Sequence, residues 1–97
     1  MKFKTQKEMF DYIWEHRPHV SELSTQPLPL PKGHLRWHFQ FLHVLPKGNW
    51  SAYKYESDNI LLGTEDEHIN QESNPIFRAK YDELKRRYYK EIYHKTF

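Results

Sequence analysis

The chain is 97 residues long, with 29% charged and 16% aromatic residues, a formal charge of +2 and no cysteine. That length allows one small domain, and the absence of cysteine excludes disulfides and thiolate metal sites. A mean hydropathy of −1.01, with no apolar run near the ~20 residues of a spanning helix, speaks against a membrane protein. The heavy aromatic content argues against disorder. Any metal must therefore be held by His, Asp, Glu or Asn, and there are seven His. The opening MKFKTQKEMF has positive charge but no apolar segment behind it, so the chain is expected to stay in the cytoplasm. A charge of +2 alone is too weak to imply a nucleic-acid partner.

The first element is a helix over about residues 5–17. Met9, Tyr12 or Ile13, and His16 fall at helical spacing, Thr5 and Glu8 form a capping pattern, and Pro18 ends it. Pro18 to Gly33 holds four prolines and reads as extended chain, with room for a short strand around His19–Leu23. Leu35–Leu45, LRWHFQFLHVL, alternates partly and reads as a strand. Pro46-Lys47-Gly48-Asn49 is a turn, and Trp50–Tyr55 continues as a loop or ragged strand. Ile60-Leu61-Leu62 is a second short strand, and Thr64 caps a helix whose first turn carries Glu65, Asp66 and Glu67. That helix is expected to run to about residue 72. The last helix, about residues 75–95, starts at Asn74-Pro75 and bears an apolar stripe of Phe77, Tyr81, Leu84, Tyr88 and Ile92. This stripe reads as core.

The order strand, loop, strand, helix over about residues 35–72 carries the chemistry. His43 closes the first strand in FLHVLPKG, Asn59 opens the second in DNILL, and His68 lies on the helix that follows. In order, spacing and flanking residues this resembles the HNH (ββα-metal, His-Me finger) endonucleases over roughly residues 21–71. The resemblance implies an α+β fold: a ββα-metal core of two short antiparallel strands and a helix, flanked by an N-terminal helix and a long C-terminal helix.

The resemblance further implies metal-dependent hydrolysis of DNA. His43 would be the general base, a task that suits a neutral imidazole. His68 would be a metal ligand, and Asn59 would tie the loop and hold His43 in place. The metal would be Mg²⁺ or Mn²⁺, with Ni²⁺ or Zn²⁺ also suited to a His-rich site.

Two departures from the family stand out. The acidic ligand that commonly precedes the base is replaced by Leu42. The Cys pairs of a structural zinc would fall at Ser21 and Ser24 and at Gly63 and Asp66, and all four are replaced. Replacement ligands are sought at Glu72, one turn from His68 if the helix is continuous, or at Glu67. Lys47, beside the turn after His43, and Arg86-Arg87 on the basic face of the last helix are the expected DNA contacts. Asp82, Glu83 and Glu91 dilute that face, so a merely solvated surface competes with this reading. Small proteins of the family are common in phage, and a homodimer or a larger phage or host complex would supply specificity. The alternative is a catalytically silent HNH-derived module that binds nucleic acid or protein. A structural or interaction domain with a coincidental His…Asn…His is a third reading.

Overall fold

The computed structural model describes the backbone of residues 1–93 and the side chains of residues 1–90. Within them lie three helices and one two-stranded antiparallel sheet, an α+β arrangement: α1 (Gln6–His16), β1 (Phe41–His43), β2 (Ile60–Leu62), α2 (Glu65–Ile69) and α3 (Pro75–Tyr93). Short 3₁₀ turns fill much of the space between them. The last two residues of the expected C-terminal helix, His94 and Lys95, lie outside the described residues.

The ribbon is small but has two distinct faces. Phe41 pairs with Leu62, Leu42 with Leu61 and His43 with Ile60, and side chains alternate between faces along each strand. Phe41, Ile60 and Leu62 pack on Met9, Phe10, Ile13 and Trp14 of α1. Leu42, Val44 and Leu45 pack with Phe77, Leu84 and Tyr88 of α3. Each large side chain fully buried here contributes about 1.5–3 kcal/mol relative to exposure. The α3 stripe is therefore core, with Tyr53 stacked on Tyr88 at 3.9 Å between ring centroids; Ile92 falls beyond the described side chains.

Local chemistry explains where the helices begin. Thr5 Oγ1 accepts the Glu8 N–H at the start of α1. Thr64 and Glu67 form a reciprocal capping box on α2. Asn74 Oδ1 accepts the N–H groups of Ile76 and Phe77 at α3.

Three sequence expectations are corrected. The strand expected over Leu35–Leu45 is confined to Phe41–His43, with a 3₁₀ turn at Trp37–Gln40 before it. β2 is only three residues long, so only three positions can pair. Buried Gln40 instead bonds both backbone groups of Leu30, at 2.8 and 3.0 Å, and pins the Pro-rich segment. The strand expected near His19–Leu23 is reduced to one bridge, Val20 with Pro27. The helix after β2 stops at Ile69, where Asn70 Nδ2 donates to the Asp66 carbonyl, so Glu72 lies in a separate 3₁₀ turn, Gln71–Ser73. Trp50–Tyr55 is loop, with a 3₁₀ turn at Ser51–Tyr53.

Candidate active site

His43 stands at the end of β1, half-buried, with its ring 6.1 Å from that of Phe10. Its Nε2 lies 3.2 Å from the Lys54 carbonyl. A carbonyl can only accept, so Nε2 carries the proton and Nδ1 keeps the lone pair. Burial pulls the His43 pKa down to about 4, aided by the positive charge of Lys47 and opposed by the Lys54 carbonyl. The imidazole is thus neutral throughout the physiological range.

Asn59 is wholly buried and binds the loop after β1 to the start of β2. Its Oδ1 accepts the Leu45 N–H at 2.7 Å, while Nδ2 donates to the carbonyls of Leu45 and Tyr53 at 3.2 and 3.4 Å. The Val44 N–H adds a bond to the Asn59 carbonyl at 2.9 Å. These bonds bracket His43 on its C-terminal side and fix the course of the chain that supplies the Lys54 carbonyl.

His68 is half-buried on α2 and near enough to His43 to lower its pKa. Its Nδ1 sits 2.8 Å from the Phe39 carbonyl, which leaves Nε2 with the lone pair. A ring held this way through one nitrogen presents the other as a metal ligand.

Two cavities meet beside these residues. One, about 660 Å³, is lined by His43, Pro46, Gln71, Glu72, Phe77, Arg78, Tyr81 and Asp82, with Val44 at its base. A second, about 390 Å³, runs from His68 to Ser73. Gln71 and Glu72 border both. Gln71 Oε1 is buried there without a hydrogen-bond partner, a condition that costs about 1–3 kcal/mol when no ligand or water relieves it.

The remaining expected site residues are dispersed. Glu67 is spent on structure: its Oε1 accepts from Ser21 Oγ at 2.6 Å and from the Thr64 N–H at 2.8 Å. Burial by itself would raise its pKa, but hydrogen bonds from Ser21, Ser24 and Thr64 outweigh that and hold it below the usual carboxylate value. Lys47 is exposed, with Nζ 2.7 Å from Gln6 Oε1, although its charge reaches His43. Arg87 donates to Tyr88 Oη and pairs with Asp58 at 3.6 Å, in a different cavity shared with Lys2, Tyr53 and Glu56. Arg86 is exposed on α3 and lines none of these cavities.

Sequence reading missed Arg78 and Gln71, both on the wall that also holds His43. The available signal was position: Arg78 is in the first turns of α3, four residues beyond the Asn74 cap. Among the described residues, no three His, Asp or Glu side chains form a ready-made metal cage. His68 and Glu72 do border one cleft, and one or two protein ligands can suffice for a hydrated divalent cation that also takes substrate phosphate. The pair shares this cleft, although the continuous helix expected to connect them is broken.

Leu42 fills the position where the resembled family often has an acidic ligand. Here it is completely buried in the cluster that contains Phe77, Leu84 and Tyr88 of α3. Neither a protein-family model, nor a curated protein, nor a solved structure matches the chain.

Proposed function

We propose that the chain is a divalent-metal-dependent endonuclease of the HNH type that hydrolyses DNA phosphodiester bonds, with His43 as general base. The observation that carries this reading is the setting of His43. It ends β1, is fixed in one tautomer by the Lys54 carbonyl, is followed by a loop that buried Asn59 braces, and lines a cavity with Glu72 and Arg78.

His43 Nδ1 takes a proton from the attacking water as the new P–O bond forms. The opposite P–O ester bond breaks, and the departing oxygen takes a proton from solvent water. A divalent cation held by His68 and Glu72 would neutralise charge on the phosphate and the leaving oxygen. Asn59 keeps the base and its carbonyl anchor in register. A pKa near 4 makes His43 a weak base in the free protein; an anionic phosphate entering the cavity stabilises the imidazolium and raises that value.

The second reading, a silent module that binds nucleic acid or protein, is favoured by Leu42, whose burial leaves no carboxylate next to the base. Specificity and assembly, as a homodimer or within a larger complex, belong to the proposal equally under either reading. Supercoiled plasmid incubated with purified protein and Mg²⁺, Mn²⁺, Ni²⁺ or Zn²⁺ separates the two. Nicking that appears with metal and stops with chelator supports the nuclease. Plasmid left intact with every metal, by folded protein that retards DNA on a gel, supports the silent module.

A further inference from the structure

Among the residues lining the His43 cavity, Arg78 carries the one permanent positive charge, alongside two acidic side chains, Glu72 and Asp82. We infer that Arg78 holds a backbone phosphate of the nucleic-acid substrate in this cavity, and so positions the strand across His43. This rests on the nuclease reading and adds to it the residue that grips the substrate.

Arg78 is exposed on α3. Among the described residues it has no carboxylate within ion-pair distance: the ion pairs of α3 are Lys80 with Glu83 and Arg87 with Asp58. Asp82, one turn further along α3, lies on the same cavity wall but outside that distance. An arginine that is exposed, unpaired and beside a cleft keeps all five donors for a ligand. Its planar fork matches two phosphate oxygens.

Position decides between Arg78 and the more conspicuous Arg86-Arg87 pair. At 3.6 residues per turn, Arg87 lies roughly 180° around α3 from Arg78. Arg87 is also engaged by Asp58 and Tyr88. Lys47 is held by Gln6. Among the described residues, only Arg78 combines a guanidinium without an ion-pair partner with a place on the His43 wall.

The cavity also suggests why one cation is enough. Glu72 and Asp82 repel a bare phosphate, so within this cavity a phosphodiester finds its attraction at the Arg78 guanidinium or at a bound cation. The volume of about 660 Å³ is within the range of sites that enclose a small ligand. It suits a nucleotide-sized piece of one strand rather than a broad duplex footprint.

The test measures binding of a fluorescent DNA oligonucleotide by anisotropy, with Ca²⁺ present, for the intact protein and for Arg78→Ala. Lys7→Ala removes an equal charge from exposed α1 and serves as the control. Arg78→Ala should weaken binding about tenfold, the scale of a lost charge-assisted phosphate contact. It should also reduce the slope of log K against log salt by about 0.9. A set of oligonucleotides, each with one neutral methylphosphonate, supplies a readout that a structural defect would not move. One position should weaken the wild type and leave Arg78→Ala unaffected. If the wild type binds and cleaves DNA while Arg78→Ala binds as tightly and shows the same methylphosphonate profile, the assignment of Arg78 is overturned and the nuclease reading stands. If the wild type binds no DNA at all, both are overturned.

Discussion

Replacing Asn59 with alanine removes an amide that satisfies three backbone groups in a site closed to water. Its Oδ1 bond to the Leu45 N–H is 2.7 Å long, and its Nδ2 bonds to the Leu45 and Tyr53 carbonyls are 3.2 and 3.4 Å. Each buried backbone group left unpaired costs about 1–3 kcal/mol. The two Leu45 bonds count in full and the longest one little, which gives about 3–5 kcal/mol. A domain of this size has about 5–10 kcal/mol of total stability, so the variant should be close to unfolding. Urea denaturation followed by circular dichroism reads this directly as a fall in midpoint at unchanged slope. The melting temperature should fall by about 15 °C or more, at 4–8 °C per kcal/mol. Asn59→Asp should do no better, because a carboxylate would face two carbonyl oxygens. A loss below about 1 kcal/mol in Asn59→Ala would refute the idea that this amide holds the loop after β1.

Three further outcomes follow from the same structure. The folded-state pKa of His43 is about 4, below its ordinary 6.5, so between these values the unfolded chain binds more protons. Stability is then fully present above pH 6.5 and falls toward pH 4 by about 2–3 kcal/mol; His43→Gln should flatten urea midpoints measured across that window. Glu67→Ala should cost about 1–2 kcal/mol, since it breaks the α2 capping box and the Ser21 bond together. Thermal melts that place Glu67→Ala level with the wild type would contradict this structural assignment. In Gly63→Ala the added Cβ would meet the two terminal carbons of Leu42 at 3.1 and 3.2 Å. Leu42 is completely buried, so its side chain must shift within the core and a loss of about 1–2 kcal/mol is expected in a denaturant titration.

Punctuation residues made the second half of the chain legible. Thr64 and Glu67 mark the start of α2, Asn74-Pro75 mark α3, and both appear where their side-chain chemistry predicts. Ile60–Leu62 is a strand with the expected bounds. Failure came where alternation had no partner to use it. The Leu35–Leu45 run has the residue types of a strand, yet Leu35 is 90% exposed and Gln40 turns inward to bond Leu30.

Long-range polar contacts were invisible for a similar reason. Arg17 donates to the carbonyls of Ile60 and Ser57, at 2.7 and 2.9 Å. Glu22 pairs with the free edge of β2 at Leu62 through its backbone N–H and its side chain. Nothing in local spacing predicts either. Around the site, His43, Asn59 and His68 come from one stretch of sequence, and each has defined hydrogen-bond partners. Arg78 and Gln71 become visible only when α3 and the turn before it fold back against His43. At Ser21 and Ser24, where a metal-bound pair would stand in the resembled family, hydrogen bonds to Glu67 join the same segments of chain.

The central claim is that His43 activates water for phosphodiester hydrolysis. Single-turnover nicking of supercoiled plasmid with Mn²⁺, comparing wild type with a His43→Ala variant shown to be folded, tests it most directly. The account predicts a rate loss of about 10²–10⁴-fold, the usual contribution of a general base, with DNA binding retained. Metal-dependent nicking at an undiminished rate in His43→Ala would contradict it.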